Sequence, residues 1–123
     1  MSGEHLLQGL GNDIIEIERI RRSIERHGSH FLNRLFTERE QEYCMQFKDP
    51  APHFAGRFAA KEAIAKALGT GFGAHLSWHD LEVVNNEEGK PIVLISENGR
   101  KRFNNPRVLL SISHSAAYAT AVA

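Results

Sequence analysis

The sequence predicts an α+β fold, with most helices in the first half of the chain and antiparallel strands in the second. Three observations carry this. Residues 15–27 place Ile17, Ile20 and Ile24 at helical spacing among charged residues. Residues 53–68 hold Phe54, Phe58, Ile64, Leu68 and six alanines in one helical run. Residues 80–122 alternate short apolar runs with turn residues.

Taken in order, residues 6–15 are apolar and interrupted by Gly9 and Gly11, which reads as a strand running into a turn. Residues 15–27 form an amphipathic helix that stops near Gly28, and a short helical piece follows at 31–35. Thr37-Glu38-Arg39-Glu40 is a capping box, in which the threonine oxygen accepts from a backbone N–H three residues on and Glu40 reaches back. That helix ends before Asp49-Pro50-Ala51-Pro52. The next runs over 53–68 and is stopped by Gly69-Thr70-Gly71. Its apolar residues, at about 100° each, cover nearly the whole circumference, so it is expected to be central and largely buried. Its charges, Arg57, Lys61, Glu62 and Lys66, therefore need partners or a ligand. Residues 80–85 and 92–95 make a hairpin around Gly89. Residues 96–103 are expected to be helical. Residues 108–114 and 118–122 make a second hairpin.

The 123 residues fit one domain spanning 1–123. Lys plus Arg equals Asp plus Glu at 15 each, so no basic excess marks a nucleic-acid or anionic-membrane surface. No apolar run is long enough to span a bilayer, and residues 1–10 do not read as a secretion signal. The one cysteine, Cys44, has no internal disulfide partner. A soluble cytoplasmic protein is expected.

Asp13 sits where an apolar strand ends, a place more often taken by a helix cap or turn residue but also by a functional carboxylate. Glu62 and Lys66 are four apart and share a helix face, which allows an ion pair between them. Arg57 and Lys61 form a second, cationic edge. One carboxylate flanked by three cations suits a phosphorylated ligand held partly through a metal. The glycines at 69, 71 and 73 follow a helix rather than precede one, so they are not a Walker loop, and a nucleotide hydrolase is disfavoured. His114 lies among Ser111, Ser113 and Ser115 at a strand end, suited to phosphate binding or proton transfer. No G-x-S-x-G elbow supports a serine hydrolase. Arg19, Arg22 and Arg26 form one ridge, which reads as a solvated face or as a docking surface for an acidic helical partner.

Four segments resemble the holo-acyl-carrier-protein synthases of the 4'-phosphopantetheinyl transferase superfamily. Gly11-Asn12-Asp13 followed by Ile14 to Ile20 is similar to their first motif, although Asn12 fills a slot expected to be apolar. The run from Phe58 to Gly71 is similar to their K-E-A-x-x-K-A-x-G-T-G core. Gly89-Lys90-Pro91 resembles their hairpin turn, and Ser111 to Ser115 with Tyr118-Ala119 their closing motif. The resemblance implies the 4'-phosphopantetheinyl transferase fold and a homotrimer with active sites at subunit interfaces. It implies transfer of 4'-phosphopantetheine from coenzyme A to a serine of apo-acyl carrier protein, with Mg²⁺ or Mn²⁺. Asp13 and Glu62 carry over as metal ligands. Asp13, Glu62 and Lys66 carry over as the catalytic set. Lys61, Lys66, Gly69, Thr70, Gly71 and His114 carry over to coenzyme A. Arg19, Arg22 and Arg26 carry over to the carrier protein. Either Glu62 or a metal-bound water takes the serine proton. The competing reading is a module that binds coenzyme A or an acidic partner without catalysis.

Overall fold

The computed structural model describes residues 6–123. The chain runs β1 (Asn12–Glu16), α1 (Ile17–Leu35), α2 (Glu38–Met45), α3 (Ala51–Ala67), a short 3-10 turn at Trp78–Asp80, β2 (Leu81–Asn85), β3 (Pro91–Ile95), α4 (Glu97–Arg102), β4 (Ser111–His114) and β5 (Tyr118–Val122). The expected α+β order holds. β2 and β3 form one antiparallel hairpin, and β1, β5 and β4 form a three-stranded antiparallel sheet in that order.

α3 is the centre of the molecule. Phe54, Ala55, Ala59, Ala60, Ala63, Ile64 and Ala65 are all sealed from solvent. One side of α3 lies across the β1-β5-β4 sheet, while α1, α2 and β2 cover the rest. The alanines explain this placement, because only small side chains let a helix be approached closely from several directions. α3 begins at Ala51, two residues before the expected start. Pro50 is its N-cap and Pro52 lies in the first turn, where a missing N–H costs nothing.

α1 buries Ile17 and Ile20 and turns its charges outward. Gly28 breaks it with φ 51° and ψ −129°, backbone that only glycine adopts readily. The expected stop at Gly28 is therefore a kink between two helical pieces. Thr37 caps α2 as its sequence predicts: Thr37 Oγ1 accepts from Glu40 N at 3.3 Å, and Glu40 Oε1 accepts from Thr37 N at 2.8 Å.

Two strands are shorter than the apolar runs containing them. β4 starts at Ser111 rather than 108, because β5 offers no partner beyond Val122, which faces Ser111. β1 starts at Asn12 because the preceding backbone lies against α3. An added Cβ at Gly9 would stand 1.9 Å from Ala67 O, and one at Gly11 2.0 Å from Ala63 O. Gly11 instead closes the sheet edge, exchanging two 2.9 Å hydrogen bonds with Ala123. Strand alternation also accounts for Asn12. It points outward with Ile14 and Glu16, while the half-buried Asp13 and the buried Ile15 face α3. An apolar residue is not required at that slot.

Candidate active site

The close approach licensed by Gly9 and Gly11 brings β1 onto the C-terminal half of α3. There Asp13, Glu62 and Lys66 meet. Lys66 Nζ donates to Asp13 Oδ1 at 3.0 Å and to Asn12 O at 3.0 Å. The i,i+4 relation of Glu62 and Lys66 puts them on one face, yet the lysine pairs with the carboxylate of β1 rather than with its own helix neighbour. Glu62 is half-buried, and burial raises its proton affinity; the nearby Asp13 carboxylate raises it further, while Lys66 lowers it. Two carboxylates from different elements thus lie near one ammonium at a partly wet surface, and Asp13 alone of the two contacts it.

This donor set fits a hard divalent cation. Mg²⁺ takes oxygen ligands and is commonly held by one or two carboxylates, with water and substrate phosphate completing its shell. No cluster of three or more Asp, Glu, His or Cys with metal-holding geometry occurs among the described residues. Asp13 and Glu62 suit a cation shared with a phosphate and do not form a self-sufficient protein cage.

Lys61 does not join them. Its ammonium is fully buried, paired with the equally buried Glu40 at 2.7 Å, and donates to Leu35 O at 2.8 Å and Trp78 O at 3.2 Å. Burial lowers its proton affinity and Glu40 opposes that. Lys61 was expected at coenzyme A; in this structure all three of its donor directions are spent inside the fold. Arg57 likewise turns away from Glu62. Its guanidinium donates to Asn85 Oδ1 and lies 4.1 Å over the Tyr43 ring, with Nε buried and unbonded. The expected edge of cations around Glu62 reduces to Lys66.

Gly69 and Gly71 take φ of 78° and 64° and end α3. Gly69 N donates to Lys66 O, and Thr70 N and Gly71 N both donate to Ala65 O, so the three amides serve helix termination. Side chains at 69 and 71 would meet nothing within 4 Å, which leaves an open floor beside Lys66.

His114 lies elsewhere, at the opposite end of α3. Its ring stands 5.6 Å from that of His53, at 73°, and His53 stacks on Phe47 at 3.5 Å. Burial lowers the proton affinity of His53, and the charges of His114 and Arg57 add to that. Helix rise over the nine residues from His53 to Glu62 is about 13 Å. The chain therefore displays two polar clusters along one helix: Asp13, Glu62 and Lys66 at one end, His53, Arg57 and His114 at the other. Of these, only His53 was missed in the sequence; its i,i+4 spacing to Arg57 was the available signal.

Arg19, Arg22 and Arg26 are all exposed on α1, and none forms an ion pair among the described residues. Arg21, between them in sequence, is bound to Asp49 at 2.6 Å and to Glu18 at 3.2 Å, which ties α1 to the segment entering α3. The ridge is thus held on a fixed helix.

Residues 9–123 match the family model of the 4'-phosphopantetheinyl transferase superfamily. This chain belongs to that superfamily. It is 57% identical over 115 residues to the holo-[acyl-carrier-protein] synthase of Protochlamydia amoebophila, covering 94% of each protein. It is 54% identical over 114 residues to that of Chlamydia caviae, covering 93% of each. Among solved structures, the Helicobacter pylori holo-[acyl-carrier-protein] synthase in complex with coenzyme A superposes with a TM-score of 0.85 at 36% identity, covering 92% of this chain and 96% of that one. The Neisseria meningitidis synthase gives 0.87 at 32% identity, over 95% and 96% of the two chains. The expected 4'-phosphopantetheinyl transferase fold is thereby established, and the family's K-E-A-x-x-K signature falls on Lys61 to Lys66 of α3.

Proposed function

We propose that this chain is a holo-acyl-carrier-protein synthase that acts through Asp13, Glu62 and Lys66 with a divalent cation, Mg²⁺ or Mn²⁺. It transfers 4'-phosphopantetheine from coenzyme A to a serine of apo-acyl carrier protein and releases 3',5'-ADP. The observation that carries the site reading is the meeting of two carboxylates and a half-exposed ammonium at the wet end of an otherwise buried helix. In the reaction the serine oxygen forms a bond to the β-phosphorus of coenzyme A, and the bond from that phosphorus to the oxygen of 3',5'-ADP breaks. The cation, when held by Asp13 and Glu62, neutralises pyrophosphate charge. Lys66 stabilises the negative charge that grows on the leaving phosphate. Glu62, beside Asp13 on the same site, is the side chain placed to accept the serine proton. Gly69, Thr70 and Gly71 leave room for the pantetheine arm beside it.

His114, with His53 and Arg57, is read as the contact for a phosphate at the far end of coenzyme A. The two clusters meet when copies of the chain assemble as a homotrimer with its active sites between subunits. The outer face of the β1-β5-β4 sheet supports that assembly, since it exposes Ile14, Tyr118 and Val122 together. The exposed Arg19, Arg22 and Arg26 dock the acidic carrier; Arg19→Glu with Arg26→Glu is expected to raise KM for the carrier tenfold or more, on the order of 1.4 kcal/mol, with little effect on coenzyme A affinity. The whole chain acts as one domain. The free, buried Cys44 suits the reducing cytoplasm. No helix among the described residues is long and apolar enough to cross a membrane.

The deciding experiment is intact-mass spectrometry of an apo-carrier incubated with this protein, coenzyme A and Mg²⁺. A gain of one phosphopantetheine that EDTA abolishes supports the reading. Coenzyme A binding without a gain on any of several carriers replaces it with a binding module. A single-chain mass in native mass spectrometry overturns the trimer.

A further inference from the structure

Lys66 does more in this structure than wait for a phosphate. Its ammonium sits on Asp13 Oδ1 and on Asn12 O, both at 3.0 Å, so it neutralises the carboxylate that a cation would use. Among the described residues those contacts are its polar anchors, and its side chain is 50% exposed where Asp13 is 16% exposed. The flexible four-carbon stem can swing without disturbing the core. Glu62, on the same helix face, lies within reach of the same charge.

We infer that Lys66 is a resident counter-ion that competes with the divalent cation for Asp13, and that the pyrophosphate of coenzyme A relieves the competition by drawing the ammonium onto its own oxygens. The inference rests on the reading that Asp13 and Glu62 hold the cation, and it adds an order to the binding. An ammonium 3.0 Å from Asp13 Oδ1 repels a cation bound at the same carboxylate and offsets the negative charge that would hold it. Charge-assisted hydrogen bonds to a multiply charged pyrophosphate are stronger acceptors for the ammonium than one carboxylate and one peptide carbonyl. The ligand that takes the lysine therefore opens the site for the cation. By linkage, the cation strengthens coenzyme A binding by the same factor. Lys66 is a positioning residue in this step, in addition to its role at the phosphate.

The test is Mn²⁺ binding, followed through the loss of the free-ion electron paramagnetic resonance signal, with no carrier protein present. For the unaltered protein, weak binding of Mn²⁺ alone and tighter binding with coenzyme A are expected. Lys66→Met is expected to bind Mn²⁺ alone about tenfold more tightly than the unaltered protein, and to lose most of the enhancement by coenzyme A. Lys66→Arg, which keeps a cation on Asp13, is expected to stay weak. Asp13→Asn in the Lys66→Met background is expected to remove the tight binding, which assigns it to this site. Circular dichroism confirms that each variant is folded.

If Lys66→Met binds Mn²⁺ no more tightly than the unaltered protein, or keeps the full enhancement, the competition is overturned while the metal reading stands. If the unaltered protein binds no Mn²⁺ with or without coenzyme A, the metal reading falls and the inference falls with it.

Discussion

Lys61 and Lys66 occupy the same helix and the same motif, and they sit in opposite surroundings. Five residues at about 100° each put them roughly 140° apart around α3. That rotation sends Lys61 into the junction of α1, α2 and β2, and Lys66 to the rim beside β1. Both are paired with a carboxylate, at 2.7 Å and 3.0 Å. The Lys61–Glu40 pair is fully buried and saturated with backbone partners, so it fixes the fold. The Lys66–Asp13 pair is held by few contacts and open to water, so it can be exchanged. Burial, not residue type or pairing, separates a charge locked into the fold from one open to exchange.

The largest effect expected from breaking that comparison is on stability. Lys61→Met leaves Glu40 charged and buried, and is expected to cost about 3–5 kcal/mol in urea unfolding. Adding Glu40→Gln removes the stranded charge and is expected to recover part of this, since Gln still offers an acceptor to Thr37 N or Val83 N. Next come the working residues. Asp13→Asn and Glu62→Gln are each expected to lower transfer by about a hundredfold or more. Their unfolding free energies should shift by no more than about 0.5 kcal/mol. A large loss of stability in either would place them with Lys61 and sink the distinction.

Gly11→Ala joins the two effects. The new methyl would meet Ala63 O, so β1 has to lift from α3, at a cost of about 1–3 kcal/mol. Because Asp13 lies two residues on, transfer activity per folded molecule is expected to fall as well. Unfolding and single-turnover rates on the same sample check both halves.

The smallest effect is in pH dependence. The lowered proton affinity of His53 means that the unfolded chain binds more protons than the folded one between the folded pKa and the ordinary value of 6.5. Stability from His53 is therefore complete above that ordinary value and declines as pH falls through the window. Urea midpoints between pH 7 and pH 5 are expected to show this slope, and His53→Gln is expected to flatten it.

Much of this was legible in the sequence, and for identifiable reasons. The α2 capping box, the α3 alanine run and the turn around Gly89 are local signals, and each produced its element. Asp13, Glu62 and Lys66 came from spacing and motif, and the fold brings them together. What the sequence hid was direction. Lys61 differs from Lys66 only in which side of α3 its neighbours cover, and those neighbours are Glu40, Leu35 and Trp78, distant in sequence. The displacement of His114 from Asp13 is likewise a matter of strand order and register, with β1 and β4 on opposite sides of β5. His114 faces Ala119 across the ladder, whereas Asp13 faces Ala121, one inward-facing pair further along β5. The late start of β4 followed from the length of its partner, which no local pattern encodes.

Trp78 is the chain's one tryptophan. Its indole stacks 3.8 Å from Phe72 and 5.3 Å from Phe58. Phe72 directly follows the Gly69-Thr70-Gly71 turn, and Phe58 belongs to α3, so the indole is clamped between the turn beside Lys66 and the helix that carries it. The protein is thereby built with a native optical gauge. Any movement of the turn changes the ring's stacking, and so its ultraviolet emission, with no label added and no competing indole in the background. Occupation of the neighbouring site can be followed in real time as a change in the light from a single residue.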